Sequence, residues 1–483
     1  MKLMNSSSIR VARFGFSVPG LVMHCLILCF MGSVIVFADA HPRARVASSG
    51  RLQIKAAQNQ DVANRPVPPS DEPRVRIRLR SKALDSTLVF GESGQRLLCF
   101  HRPDSRLILR PAPLQITHLD DGWRLVDGDM RTTLLAGSGV LSIRTLVDHP
   151  SNIFFEDGAL PGFVDLVPLK SFAESSNPDR LDVIVSVPLE TYLPGVLDVE
   201  LYGHWPFETF QAQAVAARSF ALAEAAFWST RRHFDLIAGP ESQGWSGDQG
   251  SSRAREAVLG TTGMVLVHEG RVIPAYYSAS CGGLPASADD AISSRDSHRI
   301  KPLVPMNPRP SGCCSESSVY EWQVEFKRNA VERSVRIWLR ERGEDSELLE
   351  SSGASLQKMI TLERSPTGRP LAYALIDSTG TSLRIEAESF RRLLSTLPRA
   401  NKEEAEPLRS SAFSGEFRGR RFLVEGLGWG HGCGLCQYGA NAMGKRGATW
   451  REMIELYYPG SDVRVCWGPQ SEDETLSKAG TNQ

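Results

Sequence analysis

Pro194-Gly195-Val196-Leu197-Asp198-Val199-Glu200-Leu201, a break at Gly203, then Trp205-Pro206 and Phe207-Glu208-Thr209-Phe210-Gln211-Ala212-Gln213-Ala214-Val215-Ala216-Ala217-Arg218 form the stretch that decides the fold. The run from Phe207 to about Phe227 is rich in Ala and holds no Gly or Pro, which predicts a helix. Pro206 suits the entry to that helix, and Pro188 and Pro194 each mark another place where a helix can begin. Pro194 to Leu201 therefore predicts a short helix stopped by Gly203. Together the two make a central helical hairpin. Ala212, Ala214, Ala216, Ala217, Ala221, Ala223 and Ala225 let its partners pack closely.

Outward from the hairpin the texture changes. Upstream, short apolar runs alternate with turn residues from Val75 to about Val167, as in Val75-Arg76-Ile77-Arg78-Leu79, and predict short strands. Downstream, Met264–Val267 and Val272–Tyr277 flank His268-Glu269-Gly270-Arg271 and predict a β-hairpin. A mixed region runs from Tyr320 to Phe422, with helices near 329–341 and 388–394 and strands near 358–363 and 372–376. Thr449-x-x-Glu452 is a capping box for a helix over Trp450–Tyr457, ended by Pro459-Gly460. No internal repeat is visible. The fold class is α+β: mixed short-strand sheets around a central helical hairpin.

The ends speak to compartment. Lys2, Arg10 and Arg13 precede an apolar stretch from Val18 to Phe37, and Ala38-Asp39-Ala40 is an A-x-A cleavage pattern. The apolar run approaches the length of a membrane span, so residues 1–40 read as a signal peptide or an N-terminal membrane anchor. Either way the chain is exported to the periplasm or cell envelope. Residues 41–74 are polar and Pro-rich and read as a linker. The remaining parts are a β-rich segment over 75–167, the main domain over 168–467 and a disordered tail over 468–483. Lys plus Arg and Asp plus Glu number 55 each, which argues against nucleic acid as a partner. Seven cysteines follow the leader, an odd number. Cys281 with Cys313 or Cys314 is the first expectation for a disulfide.

Three constellations could carry chemistry. On one unbroken helix Glu200 and Arg218 would stand roughly 27 Å apart, but a hairpin at Gly203–Pro206 could bring Arg218 back beside Glu200. The arginine would lower the carboxyl pKa and burial would raise it. Residues 428–440, Gly428-Trp429-Gly430-His431-Gly432-Cys433-Gly434-Leu435-Cys436-Gln437-Tyr438-Gly439-Ala440, crowd five glycines around His431. Cys433-x-x-Cys436 with His431 could seed a metal site if ligands such as Cys281 joined it. A cysteine–histidine pair or a structural loop are the other readings. Tyr276-Tyr277-Ser278-Ala279-Ser280-Cys281-Gly282-Gly283 is not a G-x-S-x-G elbow, so a serine hydrolase is not expected.

In order, these segments resemble the SpoIID/LytB family of stage II sporulation protein D and the amidase enhancers. The resemblance rests on the run from Val187 to Glu200, Trp205-Pro206, Gln211 to Phe220, Ala275 to Ser278 with Gly282-Gly283, Arg364 to Arg369, the Gly428–Ala440 loop and Tyr457-Tyr458-Pro459-Gly460. It implies peptidoglycan glycan strands as substrate, preferably peptide-stripped, and lytic transglycosylase activity. The family's catalytic glutamate falls on Glu200 and its partner arginine on Arg218. Gln243, Tyr277, Ser278, Trp429, His431, Gln437 and Tyr438 are the expected substrate-binding residues. Sporulation members carry a Cys/His zinc cluster in the segment that here reads Phe234 to Trp245, where no Cys or His stands. No metal or other cofactor is therefore carried over. The alternative is a non-catalytic glycan-binding activator of a cell-wall amidase, and a third reading is a Cys/His hydrolase centred on His431.

Overall fold

The computed structural model describes residues 65–145, 152–156, 158–169, 179–291, 312–343, 347–351, 353–400 and 404–468. The leader, the linker up to residue 64 and the tail from residue 469 lie outside them. Among the described residues no helix is long and apolar enough to cross a membrane.

The predicted strands form two sheets that share one core. A seven-stranded sheet runs Leu236–Ile237, Arg74–Ala83, Arg180–Pro188, Phe163–Pro168, Leu141–Thr145, Arg96–His101 and Arg106–Pro111 in spatial order. A six-stranded sheet pairs 158–160, 153–155, 87–90, 114–119, 122–126 and 132–136. Alternating burial along Arg96–His101 and Leu114–Leu119 reflects the period-2 pattern of their apolar residues. Arg180–Pro188 pairs with both Arg74–Ala83 and Phe163–Pro168. The sheet thus crosses the expected division at 167/168, because strand pairing joins segments that composition separates.

Strand Arg180–Pro188 feeds directly into helix α1, Leu189–Glu200. The helix starts directly after Pro188, one of the two prolines expected to mark a start, and Pro194, the other, sits inside it. Two of its first backbone N–H groups find partners in the supposed linker. Leu189 N–H donates to the Pro73 carbonyl at 3.0 Å and Glu190 N–H to Glu72 Oε1 at 2.9 Å. The linker also ends earlier than residue 74 for another reason. Arg65 is buried and pairs with Glu269 at 3.3 Å, while Val272 N–H donates to the Pro66 carbonyl.

Helix α2, Phe207–Trp228, follows Leu201–Pro206 as predicted, and its alanines are fully or nearly fully buried from Ala212 to Ala223. Helix α3, Ser252–Leu259, packs against both. Ser251 caps it by accepting from Ala254 N–H.

The predicted β-hairpin forms in its first half only. Met264–His268 pairs with Arg271–Val272 around Glu269 and Gly270, both at positive φ, and on its other edge with Asp462–Val465. Beyond Val272 the chain leaves the ladder. Tyr277–Ser278 instead pairs in parallel with Leu435–Cys436, joining the two glycine-rich motifs. Residues 321–427 build a separate core from two three-stranded sheets with helices Arg328–Arg342 and Ala387–Ser395. The capping box at Thr449 and Glu452 is formed on both sides.

Candidate functional site

Glu200 ends α1 and remains partly open to solvent. Its Oε1 accepts from Gly244 N–H and its Oε2 from the Gln437 side-chain amide, each at 3.0 Å. Gln437 opens helix Gln437–Lys445 immediately after the strand that pairs with Tyr277–Ser278. Burial raises the Glu200 pKa, and the two hydrogen bonds oppose it without prevailing. The negative end of the α1 dipole lies at the same place and also disfavours a carboxylate.

Gln243, which is buried, immediately precedes Gly244. Its amide nitrogen donates to the Ala217 carbonyl at 3.1 Å and to the Tyr277 hydroxyl at 3.0 Å, while the Tyr192 hydroxyl donates to its Oε1 at 3.2 Å. Burial first, then the Glu200 charge, push the Tyr192 and Tyr277 hydroxyls well above their ordinary pKa. Both hydroxyls stay neutral, that of Tyr192 donating to Gln243 and that of Tyr277 accepting from it.

A groove of about 460 Å³ is lined by residues that follow Glu200 and Gln437 in the chain. Tyr202, two residues past Glu200, and Tyr438, one past Gln437, both line it with His204, Trp205 and Lys445. The Tyr438 ring lies 5.0 Å from Trp205 and 6.4 Å from Tyr202, giving an aromatic wall. Flat apolar faces edged by polar tips suit a sugar ring, whose faces are apolar and whose rim carries hydroxyls.

Arg218 is placed otherwise than the hairpin argument expects. Its guanidinium is fully buried and takes Glu190, with Nε–Oε1 at 3.0 Å and Nη2–Oε2 at 2.7 Å; Nη1 donates to the Met264 carbonyl. Gly263 N–H and the Trp467 indole also donate to Glu190. The chain does fold back at Gly203, but Arg218 lies deep in α2 and so comes back to the start of α1. Glu190 precedes Glu200 by ten residues, about 15 Å along a helix axis. Burial is thus left to act on Glu200 without an arginine beside it.

The remaining expected residues divide. Ser278 is buried, and its Oγ accepts from Gly432 N–H at 3.2 Å, serving the loop. The Trp429 backbone exchanges hydrogen bonds with Ser280, and Arg409 lies over its ring at 5.1 Å. His431 Nδ1 accepts from Cys433 N–H at 3.0 Å. Burial, then the Arg369 charge, lower its pKa to about 4, and burial pushes the Cys433 thiol up to about 12. A neutral imidazole and an un-ionised thiol are the reverse of a cysteine–histidine nucleophile pair. Gly434 is required where the two motif strands meet. It has φ +70°, and a Cβ there would lie 1.9 Å from the Tyr276 carbonyl oxygen.

The expected disulfide is not formed: Cys281 Sγ and Cys314 Sγ are 3.6 Å apart. Sequence reasoning missed Glu190, Tyr192 and the Gly244 amide as parts of the site. The first two stand in the quoted Val187–Glu200 run, whereas a backbone N–H leaves no mark in sequence.

His431 predicts an acid-side instability. Its pKa is lowered on folding, so its contribution is fully present above the unfolded value of 6.5 and is lost as pH falls through about 4. The ceiling is about 3 kcal/mol. His431→Asn keeps an acceptor for Cys433 N–H, and denaturant titrations should show a smaller stability loss between pH 6.5 and 4 than in the parent.

Residues 177–268 match the family model described as SpoIID, stage II sporulation protein. Over that segment the chain is similar to the SpoIID family. That segment holds α1, α2, Glu200 and Gln243 of the site. Residues 290–434 match a second model, described as a domain of unknown function. An uncharacterized protein of Brachyspira hyodysenteriae is 26% identical over 293 residues, covering 59% of this chain and 69% of the relative. The amidase enhancer of Bacillus subtilis is 24% identical over 297 residues, 56% of this chain but 40% of the relative. Stage II sporulation protein D of Bacillus amyloliquefaciens is 24% identical over 299 residues, 58% and 75%.

Proposed function

We propose that this chain works in the cell envelope on peptidoglycan glycan strands, as a lytic transglycosylase with Glu200 as its acid and base. The observation that carries the reading is Glu200 itself: a carboxyl whose pKa is raised by burial, held by Gly244 and Gln437, while Tyr202 and Tyr438, close to Glu200 and Gln437 in the chain, line an aromatic-walled groove. In this reaction the Glu200 acid protonates the glycosidic oxygen between MurNAc and GlcNAc as the C1–O bond breaks. The resulting carboxylate takes the proton from the same sugar's C6 hydroxyl, whose oxygen closes on C1. The product is a 1,6-anhydro ring, no water is consumed, and Glu200 ends protonated. One carboxylic acid suffices, unlike the usual two-carboxylate hydrolase. The groups that shift Glu200 are burial, Gly244 and Gln437, with no second carboxylate among them. In this reading Arg218 is a positioning residue that fixes α1 through Glu190.

One observation favours the second reading, a glycan-binding activator of an amidase. Both Glu200 oxygens already hold protein hydrogen bonds, as a structural carboxylate's would, and one relative is named an amidase enhancer. Incubation of the full chain with peptide-free glycan strands, followed by mass spectrometry, separates the two. Anhydro-muramyl ends are the expected products. Binding without any cleavage, together with faster release of peptides when an amidase is added, would select the activator.

A further inference from the structure

The sulfurs of Cys281, Cys314 and Cys436 all lie within 4.8 Å of one another, and all three residues are buried. They come from three separate segments. Cys281 follows strand Tyr277–Ser278, Cys314 lies in the loop before Tyr320, and Cys436 ends the partner strand Leu435–Cys436. Cys433, the other half of the C-x-x-C, is not in the group.

We propose that Cys281, Cys314 and Cys436 bind a structural zinc ion. A tetrahedral zinc with Zn–S bonds of about 2.3 Å sets its sulfurs about 3.8 Å apart. The 3.6 Å between Cys281 and Cys314 is close to that edge and far longer than a sulfur–sulfur bond. A disulfide between any two of the three would leave the third thiol buried against it, whereas a metal uses all three.

The surroundings are those of a thiolate cluster. Cys281 N–H donates to Cys436 Sγ at 3.4 Å. Such N–H donors orient and stabilise metal-bound sulfur. Independently, the Tyr457 hydroxyl, in the same buried cluster as the three cysteines, has no hydrogen-bond partner. A fourth ligand, from water or a further side chain, would complete the tetrahedron.

The ion would tie together the two glycine-rich motifs and the Cys314 loop. Cys436 immediately precedes Gln437, which donates to Glu200, so the metal would also fix one of the two donors to that carboxyl. This differs in position from a cluster in Phe234 to Trp245, and it does not depend on the glycan reading.

The test is metal analysis of the full chain purified without chelator, with X-ray absorption at the zinc edge. The expected result is about one zinc per chain with three or four sulfurs at about 2.3 Å. Cys314→Ser and Cys436→Ser should each lower the zinc content several-fold, while Cys466→Ser leaves it unchanged. Because a variant can fail to fold, the sulfur count on the parent protein stands by itself. Cobalt(II) added to chelator-stripped protein should give a thiolate-to-metal charge-transfer band. A metal-free parent that takes up neither ion, a Cys281–Cys314 disulfide found by peptide mass spectrometry, or zinc bound through nitrogen and oxygen alone would each overturn the proposal.

Discussion

Replacing Glu200 by glutamine is expected to lower glycan cleavage by about 10²–10⁴-fold, the usual contribution of a positioned acid or base, while leaving strand binding intact. The substitution removes the transferable proton and keeps the shape. The introduced amide can accept from Gly244 N–H through its carbonyl, and the Gln437 amide can rotate to present its own oxygen to the new NH₂ group. Binding by the aromatic groove, measured by co-sedimentation with insoluble glycan, should stay close to that of the parent. An equal loss of binding and cleavage would mean that Glu200 holds the fold or the ligand and is not the acid.

The same carboxyl fixes two pH effects. Glu200 has a raised pKa in the fold, so its acid form persists to higher pH than in an ordinary glutamate. Activity that needs the acid should fall as pH rises through that value. Stability moves the same way: the folded state binds the proton more tightly, so the contribution is full below the unfolded pKa of 4.5 and is lost as pH rises through the folded value. Glu200→Gln should remove this slope and leave the protein at neutral pH as stable as the parent or more so. A variant that is less active and no less stable is the signature of a group held for chemistry at a cost in stability.

Arg218→Met carries the other large effect, and it is on stability. Removing one partner of a buried pair strands the other and costs about 3–5 kcal/mol. Arg218 is fully buried, and Glu190 receives its two guanidinium bonds besides those from Gly263 and Trp467. Glu190→Gln should cost less, because the amide oxygen can still accept from some of these donors. The double variant should recover part of the Arg218→Met loss in urea titrations, as coupled partners do. Arg218→Lys should fail to restore the parent value, since an ammonium cannot reproduce the bidentate fork. Should Arg218→Met instead leave stability unchanged and abolish cleavage, the arginine acts at the reacting groups and not through Glu190.

What could be read along the chain was governed by interactions of short range. Helix α2 was legible because alanine content and the absence of Gly and Pro are local properties. The Glu269-Gly270 turn and the Thr449–Glu452 capping box were legible because their hydrogen bonds close within a few residues. The order of motifs singled out Glu200. Strands and helices that need a distant partner leave no such local mark. The second arm of the hairpin was extended to Tyr277, since an apolar run cannot say that its last residues will pair with Leu435–Cys436, far along the chain. Two prolines, Pro188 and Pro194, mark possible starts of α1; the choice of Pro188 rests on Glu72 and Pro73, which satisfy the first turn from more than a hundred residues upstream.

The sequence by itself determined a hairpin of two helices, a glycine-rich loop that must approach another backbone closely, and a glutamate at the hairpin's first end. Tertiary structure alone decided which carboxylate Arg218 would neutralise. An ion pair is set by where helices cross, and a guanidinium buried in α2 takes the acid that faces it. That choice gave Glu190 the charge partner and left Glu200 to burial, which raises its pKa. The three thiols were decided in the same way, gathered from positions 281, 314 and 436 by a two-residue parallel ladder and a loop that no local rule would bring together.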